Sequence, residues 1–119
     1  EFKWNSNFPI NSLNIMRGYI CVSKNKQNDY LNCFFDAYWK DDQDLSNIEN
    51  ISKLLIKLNI DNDEFFKSVK EQAVKDNLIK LTTDAFEKEV FGTPTFIVNK
   101  KIFWGQDRLE YALEEVNNN

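Results

Sequence analysis

Two short stretches of this chain hold residues whose types and spacing suit the binding of a small peptide. The first is Phe91-Gly92-Thr93-Pro94-Thr95-Phe96. Pro94 opens a run that reads as a strand, and a strand tolerates proline only at its start or edge. A strand-opening proline after a helix cap is the plain reading. The functional reading is a cis Thr93–Pro94 bond. It turns the N–H and C=O of Thr93 outward, where an extended thiol peptide can pair with them as an added strand. The second stretch is Phe103-Trp104-Gly105-Gln106-Asp107-Arg108-Leu109. A glycine followed by polar residues at a helix start leaves N–H groups unpaired, and these suit a carboxylate. Asp107 can accept from an ammonium group, or it can serve only as a helix N-cap. A ligand bearing an α-carboxylate and an α-amine is matched by the Gln106 N–H and the Asp107 side chain. Taken singly, the plain readings are the stronger. A hairpin joins the two stretches, however, so that one tripeptide can span both.

Other chemistries are excluded or weakened by what the chain lacks. Its 119 residues contain no histidine. Ser-His-Asp and Cys-His nucleophile schemes are therefore closed, and no metal site is expected. Cys21 and Cys33 are spaced neither as CxxC nor as zinc ligands, and read as two buried free thiols in a reducing compartment. The net charge is −4, from 15 Lys and Arg against 19 Asp and Glu, with no basic stripe. Such a chain is a poor partner for nucleic acid. No apolar run approaches the roughly 20 residues that span a bilayer, so no membrane partner is expected. Lysine outnumbers arginine thirteen to two, and Asn and Ile are abundant, which reads as AT-rich coding. Three Trp, four Tyr and ten Phe read as core filling. The chain opens on Glu1 without an initiator methionine, and is read as a piece of a longer protein.

The elements that must position the two stretches are mostly helical. Residues 1–10, with Pro9, read as a linker or loop entering the first helix. Apolar residues recur at helical spacing over Asn11–Ser23 and again over Asp29–Lys40, with a polar break at Lys24–Asn28. Ser46 and Glu49 form a capping box for a helix through Leu58. Asp61 and Glu64 repeat the device. Leu78, Leu81, Thr82, Ala85 and Phe86 give the strongest helical period, and Gly92 reads as the left-handed residue that ends that helix. Thr95–Val98 and Ile102–Trp104 then form a hairpin around Asn99-Lys100-Lys101. A last helix carries Leu109, Ala112, Leu113 and Val116, and Asn117–Asn119 reads as a frayed tail.

The hairpin is incomplete as a sheet. Its first strand is apolar on both faces, which belongs in the middle of a helix-covered sheet. Two strands alone are marginal in water. A βαβ unit upstream of Glu1 is the simplest supplier of the missing neighbours, and a partner chain is the alternative.

Taken together, T-x-x-A-x-x-x-x-V-F-G-T-P-T-F-x-V (Thr82–Val98) and F-W-G-Q-D-R-L (Phe103–Leu109) resemble the 2-hydroxychromene-2-carboxylate isomerases and their relatives, the kappa-class glutathione transferases. Phe8-Pro9-Ile10-Asn11-Ser12 and Phe35-Asp36-Ala37-Tyr38-Trp39 with Asp44 agree with the same families. The resemblance implies an α/β, thioredoxin-like fold of the DsbA superfamily, with the N-terminal βαβ unit outside this chain. Residues 1–10 would be a linker, 11–80 the helical insertion domain, and 81–119 the C-terminal helix, hairpin and final helix. It implies glutathione as cofactor, held by Thr93, Pro94, Trp104, Gly105, Gln106 and Asp107. It implies substrate contact around Asn14, where family members can carry Arg, with Arg17 one turn on as the substitute. Helix packing is the plain alternative for both. The serine that bonds the glutathione sulfur would lie upstream of Glu1, so no catalytic residue is assigned here. The implied function is one part of a glutathione-dependent isomerase acting on a small aromatic carboxylate in the bacterial cytoplasm, with a homodimer left open and the piece alone inactive. Three alternatives remain: a kappa-class transferase, a DsbA-like thiol–disulfide oxidoreductase, and a non-enzymatic helical interaction module.

Overall fold

The computed structural model describes residues 1–118. Asn119, the end of the expected tail, lies outside the described residues. Six α-helices and one two-stranded sheet follow the order α1 (Leu13–Cys21), α2 (Gln27–Trp39), α3 (Ile48–Lys57), α4 (Asn62–Ser68), α5 (Gln72–Glu87), β1 (Thr95–Val98), β2 (Lys101–Trp104) and α6 (Leu109–Asn117). Short 3-10 turns precede α2 (Lys24–Lys26) and α6 (Gln106–Arg108). The chain divides into two compact units, Glu1–Ile79 and Lys80–Asn119, with α5 running through the boundary. None of the described helices is long and apolar enough to cross a membrane.

The first unit holds the core. Tyr30, Phe34, Leu55, Phe65 and Val69 are almost completely buried, with Leu45, Ile51 and Leu54 around them. Tyr30 donates its hydroxyl to the Ile15 carbonyl at 2.9 Å, and burial pushes its pKa up. Cys21 and Cys33 are free and pack against this core. They are half-buried rather than fully buried. Desolvation, first of all, raises both thiol pKa values.

Residues 1–10 do not behave as a free linker. Asn5 is 1% exposed, and its side-chain amide donates to the carbonyls of Tyr38 (2.8 Å) and Gln43 (2.9 Å). Its own side-chain oxygen accepts from the Asn7 N–H at 2.8 Å. The Lys3 N–H donates to the Trp39 carbonyl. The segment thus satisfies carbonyls that the end of α2 leaves unpaired.

Two helix boundaries differ from expectation. The cap of α3 is Asn47, which accepts from the Glu49 N–H at 2.9 Å. Ser46 instead donates its hydroxyl to Asp44, because an Asx turn at Asp44 takes it up first. Asp61 caps α4 by accepting from the Glu64 N–H at 2.8 Å. The left-handed residue ending α5 is Glu89 (φ 60°), with the Val90 N–H reaching the Ala85 carbonyl. Gly92 has a different task.

In the second unit β1 and β2 pair antiparallel, Thr95 with Trp104, Phe96 with Phe103, Ile97 with Ile102 and Val98 with Lys101. The turn between them is Asn99-Lys100, both at positive φ (50° and 64°), one residue shorter than expected. Such a turn matches the strands' right-handed twist. Asn99 and Lys101 both reach the Glu115 carboxylate on α6, Lys101 at 2.7 Å. Asn117, expected in the tail, belongs to α6.

Candidate functional site

The hairpin register carries the site. One step beyond the Thr95–Trp104 pair, the Gly105 N–H donates to the Pro94 carbonyl at 2.9 Å. That bond brings the loop before β1 alongside the loop after β2. A cavity of about 350 Å³ opens there, lined by Thr93, Trp104, Gly105, Gln106, Asp107 and Arg108. All six residues belong to the second unit.

Each wall has a local cause. Gly105 sits at φ 104°, ψ 150°, a conformation essentially reserved for glycine. A Cβ there would stand 2.5 Å from an Asp107 carboxylate oxygen. The 3-10 turn that follows satisfies the Arg108 N–H on the Gly105 carbonyl at 3.1 Å. It leaves the Gln106 and Asp107 N–H groups without acceptors inside the turn. On the opposite wall the Thr93–Pro94 bond is cis. Among the described residues, neither the N–H nor the C=O of Thr93 enters a hydrogen bond. The neighbours of Thr93 are pinned: the Thr95 hydroxyl donates to the Gly92 carbonyl at 2.6 Å, and Pro94 holds Gly105.

Trp104 closes one side. Its indole lies directly on Gly92, where any Cβ would overlap it. Phe91 packs on the same ring, centroids 5.2 Å apart. Asp107 is not a cap: Gly105 and Arg108 flank the two helical turns, and neither turn has a side-chain cap bond. The Asp107 carboxylate keeps one loose partner, the Arg108 guanidinium at 3.7 Å, which also lies 5.7 Å over the Tyr111 ring. The site therefore offers backbone donors, one backbone acceptor, one carboxylate and one guanidinium around a small opening. No serine, cysteine or histidine lines it.

The chain as a whole now has a family. The model of the DSBA-like thioredoxin domain matches residues 1–117. The chain belongs to the DSBA-like thioredoxin domain family. Its six helices and two-stranded sheet are the part of that fold it supplies. Among curated proteins this DSBA-like chain is similar to the 2-hydroxychromene-2-carboxylate isomerases of Pseudomonas sp. (strain C18), 32% identical over 81 residues, and of Pseudomonas putida, 31% identical over 81 residues. Each alignment takes in 67% of this chain and 38% or 39% of the relative. The corresponding protein of Sphingobium xenophagum is 36% identical over 52 residues, 44% of this chain and 27% of that one. The chain thus spans less than half the length of the curated relatives it matches. A solved 2-hydroxychromene-2-carboxylate isomerase superimposes with a TM-score of 0.82 at 23% identity, over 98% of this chain and 57% of that one. The fold is the DsbA-like thioredoxin fold.

Three residues at or beside the cavity lie outside the sequence-derived set: Arg108 lines it, and Gly92 and Thr95 adjoin Thr93. Arg108 was in view within the motif, but a lone arginine at a helix start carries no signal of its own. Gly92 was in view as a helix stop. Thr95 reads as an ordinary strand residue. Asn14 and Arg17 belong to α1 in the first unit. Asn14 is exposed, while the Nε of Arg17 is buried and makes no hydrogen bond among the described residues.

Proposed function

We propose that this chain supplies the glutathione-holding part of a glutathione-dependent isomerase of the 2-hydroxychromene-2-carboxylate type. One observation carries the reading: the unpaired backbone of Thr93 and the Gln106–Asp107 turn share one cavity. The cysteinyl backbone of the tripeptide pairs with the Thr93 N–H and C=O as a short added strand. The γ-glutamyl carboxylate takes the Gln106 and Asp107 N–H groups, where a helix start favours an anion. The α-ammonium takes the Asp107 carboxylate, charge-assisted. Trp104 shields these bonds from water on one side. When bound, glutathione supplies a thiol nucleophile for the isomerisation.

The one carboxylate of the cavity, Asp107, is taken by the α-ammonium in this reading, which leaves no other proton-accepting side chain for that thiol. The reading therefore makes this chain a binding platform without turnover of its own. For an aromatic carboxylate substrate, the unpartnered Nε of Arg17 supports a role in holding the anion. Two free thiols without a disulfide support a cytoplasmic setting.

The test is an NMR titration of the chain with glutathione, beside an isomerase assay. The expected result is shift changes confined to Thr93, Trp104 and Gly105–Arg108, with no turnover of 2-hydroxychromene-2-carboxylate. Shifts elsewhere, or none, overturn the binding site; turnover by the chain alone overturns the division of labour.

A further inference from the structure

Between them, Thr93 and its neighbours show an uneven distribution of hydrogen bonds. The Gly92 carbonyl is taken by the Thr95 hydroxyl at 2.6 Å, and the Pro94 carbonyl by the Gly105 N–H at 2.9 Å. Thr93, between them, is bonded through neither of its backbone groups among the described residues. The Trp104 indole presses on the Gly92 backbone from the side, and Phe91 backs the ring. The turn is thus fastened on both sides of an edge left open. A rigid edge of this kind binds an extended peptide without first having to be ordered.

We propose that Gly92 and Thr95 are positioning residues for the Thr93 edge, acting through the Trp104 indole and through the Thr95–Gly92 hydrogen bond. The inference rests on the glutathione reading above and adds to it which residues set the affinity of the cysteinyl end. Gly92 has no positive φ, so its lack of a Cβ is explained by the indole and not by its backbone conformation. Adding a methyl group forces either the ring off the turn or the turn off the ring. Moving the turn shifts Thr93 relative to Gly105, and moving the ring removes the wall that holds the Gly92 backbone. The γ-glutamyl donors hang on the Gly105 turn, so the Thr95 variants, which leave the indole in place, do not touch that end.

This separation sets the experiment. The full chain and its Gly92→Ala, Thr95→Val and Thr95→Ser variants are titrated by NMR with glutathione and, separately, with L-glutamine. Glutamine is the γ-amide of glutamate and carries the γ-glutamyl head alone. The expected result for the unaltered chain is binding of both, with glutamine the weaker. Gly92→Ala lowers glutathione affinity by about tenfold, in line with the sensitivity of preorganised sites to small displacements. Thr95→Val lowers it by about fivefold, the loss of one hydrogen bond. Thr95→Ser, which keeps the hydroxyl, restores it, and glutamine binding is the same in the unaltered chain and in both Thr95 variants. Equal glutathione affinity across the variants overturns the inference while leaving the glutathione reading in place. So does a parallel loss of both ligands in Thr95→Val, which marks general damage to the fold. An unaltered chain that binds glutathione but not glutamine overturns the two-ended division. If the unaltered chain ignores glutathione, the parent reading fails and this inference with it. Should Gly92→Ala fail to fold, the Thr95 pair decides alone.

Discussion

Gly105 donates its N–H to the Pro94 carbonyl at 2.9 Å, one rung beyond the last paired residues of the hairpin. This bond is what sets the loop at Thr93 beside the loop at Gln106 and Asp107. The rung depends on a backbone that only glycine takes easily, φ 104° and ψ 150°. Replacing Gly105 by alanine forces the chain into a conformation worth roughly 1–3 kcal/mol of strain. It also drives the new Cβ against Asp107. The expected outcome in urea denaturation is a loss of that size, accompanied by loss of glutathione binding in calorimetry. A Gly105→Ala chain with unchanged midpoint and affinity would contradict the geometry described here.

Asn5 closes the first unit from its N-terminal side. One side chain supplies donors to the Tyr38 carbonyl at the end of α2 and to the Gln43 carbonyl beyond it, and an acceptor to Asn7. Truncation to alanine strands these groups away from water. The expected destabilisation is roughly 2–3 kcal/mol, since buried and half-buried polar groups lose a partner. Chemical denaturation followed by tryptophan fluorescence measures it, because Trp39 adjoins the same helix end.

Much of this fold was legible from periodicity and turn residues. The stripe on Tyr30, Phe34, Ala37 and Tyr38 marks a real buried face, and of the stripe Ile48, Ile51, Leu55 and Leu58 the middle two are buried while Ile48, in the first turn of α3, is exposed. The Asp61 cap and both strands were equally plain. What escaped had physical reasons. The first turns of α5, from Gln72, hold only Ala73 and Val74 as apolar residues, too few to announce a period. The role of Asn5 depends on carbonyls more than 30 residues away, which local pattern cannot reach. Gly92 was misread because a glycine shortly after a helix has two uses, a left-handed stop and a close approach. Only the position of Trp104 decides between them. At the site, residue types at Thr93 and Gly105–Asp107 indicated the chemistry. The pins on Thr93 through Thr95 and Gly92 needed coordinates.

The hairpin turn leaves room for improvement. Asn99 tolerates its left-handed backbone, as asparagine commonly does. Lys100 at φ 64° does not share that tolerance. Turns of this type prefer glycine at that position. Lys100→Gly is expected to stabilise the second unit by about 0.5–1 kcal/mol, the relief of strain exceeding the added chain entropy. Hydrogen exchange of the Thr95–Val98 amides should slow accordingly; faster exchange would show that the lysine side chain contributes more than its backbone strain removes.

Two carboxylates tie distant segments together and set the response to acid. Asp42 accepts first of all from the Ser6 N–H, then from Lys3 and the Ser6 hydroxyl, which holds its pKa below the usual carboxylate value. Glu115 accepts from Lys101 and from Asn99, with the same result. In the folded chain both groups release their protons at lower pH than in the unfolded chain. The stability they confer is therefore fully present above the ordinary carboxylate pKa of about 4. It is lost as pH falls through that value toward their lowered ones. Both ties are at the surface, so added salt should weaken the effect. The expected outcome is that Asp42→Asn and Glu115→Gln flatten the decline in stability below about pH 4, each by its own share. Because Glu115 joins the hairpin turn to α6, its replacement should alter exchange at Asn99–Lys101 first, whereas Asp42→Asn should first loosen the segment around Ser6. A decline unchanged in both variants would place the acid sensitivity on other carboxylates.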